Sequence, residues 1–187
     1  MEQIITTILT FSIFISHIAI VIGIIIWIVN KYHKLDFIEP ILSFIKEYAL
    51  WILFLIPASA ISASLFYSEY VGFIPCEFCW YQRIMIYPQA LLVLTALIKK
   101  SRNIIPYLIP LSIIGGIFSI YQYIGQMSAL YGFSDLLSAC GLNGSTCSDI
   151  YILSFGYITI PLMTLTMFLI IIVVSYIAME DKPWYRR

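Results

Sequence analysis

Apolar residues come in long runs along this chain, broken by short polar segments. A helix needs about 20 predominantly apolar residues to cross a hydrocarbon core about 30 Å thick. Residues 4–29 carry no charge and are long enough. Residues 48–66 form a second candidate, with Pro57 near its middle. The third, 84–98, is strictly apolar and stops at Lys99-Lys100. It reaches crossing length only if its helix starts near Phe78 or Cys79, which places Arg83 in the first turns. Residues 104–124 contain Pro106, Pro110 and the Gly115-Gly116 pair, and 151–179 are interrupted by Pro161. Prolines are tolerated in membrane helices when neighbours cover the freed carbonyls, and small residues let helices approach closely. The pattern predicts five spans.

The four later spans form a unit without the first. We therefore expect an all-α membrane protein: a four-helix transmembrane bundle over residues 48–187 with one additional N-terminal transmembrane helix over residues 1–30. The linker, 31–47, places Ile38, Ile41, Leu42 and Ile45 at helical spacing, with Pro40 near a plausible start. That pattern suits a short helix in the cytoplasmic interface or a plain tether. The first run is too long for a signal peptide, lacks a basic lead and precedes no small-residue cleavage site, so a retained anchor is expected.

Basic residues fall unevenly. Lys31, Lys34, Lys46, Lys99, Lys100, Arg102, Lys182, Arg186 and Arg187 gather on one side of the five-span arrangement, and only Arg83 lies on the other. Lysine and arginine accumulate on the cytoplasmic side. The amino terminus is thus expected outside and the carboxyl terminus in the cytoplasm of a cell membrane. Composition agrees: 61% hydrophobic and 11% charged residues leave too little charge to coat a soluble surface. A net charge of zero provides no global field to recruit nucleic acid.

All four cysteines fall in the two outer loops of the core. Cys76 and Cys79 form a Cys-Glu-Phe-Cys pair before the third span, and Cys140 and Cys147 lie between the fourth and fifth. On an outer face, disulfides persist. Three readings compete. Structural disulfides are one, although closing so short a loop removes little unfolded-state entropy. A zinc-binding scaffold or sensor is the second, since Cys-x-x-Cys is half of a zinc ribbon, but the ligands would have to join two loops. The third is a redox relay, because closely spaced pairs exchange disulfides readily. Arg83 follows Cys79 by four residues, so the guanidinium shares a helix face with that sulfur, where it favours a thiolate and can hold an anionic oxygen. Trp80 and Tyr81 suit an interfacial aromatic belt.

The string from Leu65-Phe66-Tyr67-Ser68-Glu69 through Phe73-Ile74-Pro75-Cys76-Glu77-Phe78-Cys79-Trp80-Tyr81-Gln82-Arg83 to Tyr87-Pro88, with Phe155-Gly156-Tyr157-Ile158-Thr159-Ile160-Pro161, resembles the DsbB family and its BdbC-type members. The resemblance spans the four-helix core. It implies a thiol:quinone oxidoreductase that reoxidises a thioredoxin-fold (DsbA/BdbD-like) thiol oxidase and passes electrons to the membrane quinone pool, menaquinone or ubiquinone. It further implies that Cys76 and Cys79 are the quinone-facing pair, Cys79 contacting the quinone with Arg83 in support. Cys140 would take the mixed disulfide with the partner, and Cys147 would resolve toward Cys76. Where many relatives carry a histidine near the outer end of the fourth span, this chain has Gln122, then Gln126; both are candidates for hydrogen bonds to a quinone oxygen. His17, in the added helix, is expected to be a packed neutral residue. A vitamin K epoxide reductase-like enzyme is a lesser alternative, since its Cys-x-x-Cys comes late in the bundle. No metal site is assigned.

Overall fold

The computed structural model describes residues 2–32, 38–133, 141–142 and 145–179. Among the described residues, five α-helices occupy the apolar runs: α1 (Glu2–Tyr32), α2 (Ile38–Leu65), α3 (Glu77–Ile98), α4 (Ile105–Leu130) and α5 (Ile160–Met179). Each is long and apolar enough to span a bilayer. Even α5, with 20 residues, reaches about 30 Å at 1.5 Å per residue. The chain is an all-α, multi-pass membrane protein. A two-residue antiparallel pair, β1 (Gly141–Leu142) and β2 (Ser145–Thr146), decorates the loop between α4 and α5.

The boundaries depart from the apolar pattern in informative places. The helix at Ile38 runs unbroken to Leu65, so Ile41, Leu42 and Ile45 occupy the first turns of α2. Beyond Leu65 the chain widens into a π-helical turn, Phe66–Val71, closed by Gly72 at φ 86°. Glycine reaches that left-handed conformation without a steric penalty. The fifth span is shorter than its apolar run predicts. Residues 151–159 are loop, with Phe155 and Gly156 at positive φ and a bridge between Ser154 and Ile158. Apolar content alone does not distinguish a packed loop from the helix that follows it.

Helices α2, α3, α4 and α5 form a closed ring, each packed on two neighbours, and α1 lies outside it against α5. The α4–α5 contact is close because Gly115 and Gly116 face α5. A Cβ on Gly115 would run into the Phe168 ring, and one on Gly116 would touch Leu165 at 3.7 Å. One apolar cluster, including Leu53, Val93, Leu108 and Ile171, fills the end near the α3–α4 turn. A second, with Ile13, Tyr67, Ile158 and Met163, fills the end where α3 begins. At the first end Arg102 donates from Nη2 to the Glu47 carbonyl at 3.2 Å, tying the turn to α2. Lys99 and Lys100 flank it, whereas Arg83 sits at the opposite end with the cysteines. Lys34, Lys182, Arg186 and Arg187 lie outside the described residues.

Candidate functional site

Pro75 leads an extended segment into Cys76, which caps α3 in an extended conformation (φ −76°, ψ 176°), and the first helical bond runs from Trp80 N to the Cys76 carbonyl at 3.2 Å. Cys79 is therefore the third residue of the helix. The cap and third positions face each other across the first turn, as in a capping box. That local geometry brings the two sulfurs to 3.3 Å, as free thiols. The Cys76 thiol is pushed well above its ordinary pKa, first by its hydrogen bond to the Cys79 sulfur and then by burial.

Gln122, on α4, reaches the pair from the other side. Its Nε2 donates to Cys76 Sγ at 3.2 Å and to Cys79 Sγ at 3.6 Å, and its Oε1 accepts from Gln82 Nε2 at 2.8 Å. Gln82 and Gln122 are both buried. One turn further, Gln126 Nε2 donates to the Asp149 carbonyl at 2.8 Å and pins the α4–α5 loop. Asp149 in turn accepts from Thr146 N and Thr146 Oγ1 at 2.8 and 2.9 Å. This clamp lowers the loop onto the cysteines: Cys147 is fully buried, disulfide-bonded, and packed against Cys76. Cys140 lies outside the described residues. Tyr151 bonds the Ile74 carbonyl at 3.3 Å, and burial, then the Asp149 charge, raises its phenol pKa.

On its opposite side Cys79 lines a groove of about 120 Å³ shared with Arg83, Ser64, Ile86, Met163 and Met167. An apolar cavity of about 150 Å³ accepts benzene, so a single ring is commensurate with this space. Cys79 and Arg83, one helical turn apart, both face it. Arg83 is fixed from two directions: Nε donates to Ser64 Oγ at 2.9 Å, Nη2 to the Ser64 carbonyl at 3.1 Å, and the guanidinium carbon stands 5.2 Å from the Trp80 ring centroid. A planar cation held by an aromatic face and an adjacent helix is oriented before any ligand arrives.

The structure thus gathers Cys76, Cys79, Cys147, Arg83, Gln122 and Gln126 at one end of the bundle. It divides them by face. Arg83 lines the apolar groove, whereas Gln122 and Gln126 line a smaller cleft with Cys76, Asp149 and Thr159. Among the described residues only Cys79, Tyr151 and Ile160 border both. Sequence reading did not single out Gln82, Ser64 or Asp149. Gln82 carried a usable signal, since a polar side chain within a span needs a partner. Ser64 and Asp149 carried none, because their contributions include backbone carbonyls.

Residues 46–178 match the sequence profile described as "Disulfide bond formation protein DsbB". The chain is 40% identical over 135 residues to "Disulfide bond formation protein C" of Bacillus subtilis (strain 168), covering 72% of this chain and 93% of that protein. It is 39% identical over 137 residues to "Probable disulfide formation protein C 1" of Bacillus anthracis (73% and 96% covered). Against "Probable disulfide formation protein" of Coxiella burnetii (strain CbuK_Q154) it is 39% identical over 137 residues (71% and 90%). No solved structure matches.

Proposed function

The chain belongs to the DsbB family of disulfide bond formation proteins, and on that premise we propose that it is a thiol:quinone oxidoreductase that reoxidises an extracytoplasmic thioredoxin-fold thiol oxidase. The observation that carries this reading is the position of Cys79. Its sulfur borders an apolar groove beside a fixed arginine, while its neighbour Cys76 packs against a loop cysteine. Such a pair has one exit toward lipid and one toward water.

Each exchange requires an attacking and a resolving sulfur. A thiolate of the reduced partner attacks Cys140 of a Cys140–Cys147 disulfide, forming a mixed disulfide and releasing Cys147 as a thiolate. The partner's second thiolate then displaces Cys140, and the partner leaves oxidised with two electrons left on the loop pair. Cys147 next attacks Cys76 of a Cys76–Cys79 disulfide, and Cys79 leaves as a thiolate. Cys140 displaces Cys76 from Cys147, which restores the loop disulfide and leaves Cys76 and Cys79 reduced. The packing of Cys147 on Cys76 supports the inter-pair step. A quinone held in the groove, menaquinone or ubiquinone, supplies a lipid-dissolved acceptor of two electrons and two protons.

The groove residues suit such a group: an apolar wall, one cysteine thiol, and one guanidinium whose donors match an anionic oxygen. Gln122 holds both sulfurs from behind and keeps them in register through each exchange. The charge asymmetry supports an orientation with the amino terminus and cysteines outside and the carboxyl terminus in the cytoplasm.

The test is quinone reduction by the purified protein in lipid, driven by a reduced thioredoxin-fold dithiol and followed by quinone absorbance. The wild-type chain should turn over with menaquinone or ubiquinone, and Cys79→Ser should fall to background. Full activity of Cys79→Ser would overturn the proposal. Stoichiometric zinc, with no loss of titratable thiols on adding quinone, would return the protein to the scaffold class.

A further inference from the structure

The matched family profile covers residues 46–178, and the three relatives named above are matched over 90–96% of their own length by only 135–137 residues of this chain. Helix α1 is therefore additional to the shared core, yet it is not free of it. Thr6, Leu9, Thr10, Ile13 and His17 recur at helical spacing on one face. Thr10 and Ile13 are 3% and 5% exposed, while Ile15 and Ile18 on the other face are 63% and 47% exposed.

The inner face is fastened at both ends. Thr6 Oγ1 bonds the Tyr67 hydroxyl at 2.9 Å, just beyond the end of α2. His17 Nε2 meets Thr166 Oγ1 on α5 at 2.8 Å, and its Nδ1 meets the Tyr157 hydroxyl at 3.3 Å. Between these anchors Phe14 stacks on Phe155 at 5.0 Å and Phe11 meets the same ring edge-on at 5.5 Å. One anchor is on the α2 side and the other on α5, so the first half of α1 lies over the seam between those two helices. Leu9 and Ile13 fall between the anchors, and both line the groove that holds Cys79 and Arg83. In a bundle of α2–α5 alone, that side of the groove would have no such wall.

We propose that α1 is the fifth wall of the acceptor groove, with Leu9 and Ile13 setting its width against the apolar part of an isoprenoid quinone and His17 holding the wall in place. The inference rests on the quinone reading for the identity of the ligand, but the wall itself does not. Hydrophobic contact is worth about 0.8 kcal/mol per buried methylene, about fourfold in affinity. Trimming either side chain therefore removes a measurable share of binding and opens the seam.

Two measurements on the full-length reduced protein in lipid nanodiscs test this. The first is the rate at which a lipid-soluble maleimide alkylates Cys79, resolved by peptide fragmentation, with Cys147 as the internal reference. The paired substitution Leu9→Ala with Ile13→Ala should accelerate Cys79 labelling and leave Cys147 unchanged. His17→Leu, which unfastens the α5 anchor without trimming the wall, should accelerate it as well and decides the matter if the paired variant does not fold. Ile15→Ala, on the outward face, should change nothing. The second measurement is KM: both variants should raise it for the quinone and not for the dithiol. Unchanged Cys79 labelling in the paired variant and in His17→Leu would overturn the proposal. If the wild-type chain reduces no quinone, the oxidoreductase reading falls while labelling still decides the wall. If it reduces quinone and labelling does not respond, only the wall is lost.

Discussion

The side-chain amide of Gln122 meets Gln82 and two sulfurs at once, in a buried position between α3 and α4. Gln122→Leu removes the donor from both sulfurs and leaves Gln82 Nε2 buried without its acceptor. An unsatisfied buried donor costs about 1–3 kcal/mol, whereas replacing both partners by apolar groups is close to neutral. Gln122→Leu should therefore lower the thermal midpoint, and adding Gln82→Leu should restore most of it. Activity should not follow stability. The double variant still lacks the N–H that a thiolate on either cysteine would accept, so Cys79 alkylation at fixed pH should stay slower than in the wild type. Recovery of both quantities together would reduce Gln122 to a packing residue. Glutamine at this position was visible in the sequence; its partners were not, because the pairing joins residues 40 apart.

Among the helices, α3 does the most with local sequence. A Cys-x-x-Cys pair placed at the cap and third positions needs no tertiary contact to bring its sulfurs together, and Arg83 follows on the same face by period alone. The α4–α5 seam is the opposite case. Gly115 and Gly116 are adjacent in sequence, but only Gly115 faces the Phe168 ring at a distance that excludes a Cβ. Gly115→Ala should destabilise the bundle by about 1–3 kcal/mol, as overpacking does. Gly116→Ala meets ordinary van der Waals contact and should be tolerated. Thermal unfolding in matched detergent separates the two, and equal effects would argue against this packing. The sequence identified the pair as a close-approach site without indicating which member makes the contact.

For the molecule as a whole, the basic residues of the α3–α4 turn and the cysteines mark opposite ends. Phe133 is 83% exposed just past α4 at the cysteine end, and Lys100 is exposed at the other. In intact cells an impermeant maleimide should label Phe133→Cys directly and Lys100→Cys only after permeabilisation. The reverse pattern would put the cysteines in the cytosol and cut them off from an extracytoplasmic dithiol. Cys79, read from the sequence as an outer-loop residue, sits in the first turn of α3. The number of spans, their approximate positions and the charge bias were all legible in the chain. Each depends on local transfer free energy or on counting along one strand of sequence. The tertiary structure decided which faces meet: Gln122 against the sulfurs, Ser64 against Arg83, and α1 across the α2–α5 seam. Lipid tails and helix interiors are equally apolar, so a span that is hydrophobic all round carries no stripe to mark its inward side. That choice is made only when the helices pack, by close fit and by the few polar groups that must find one another.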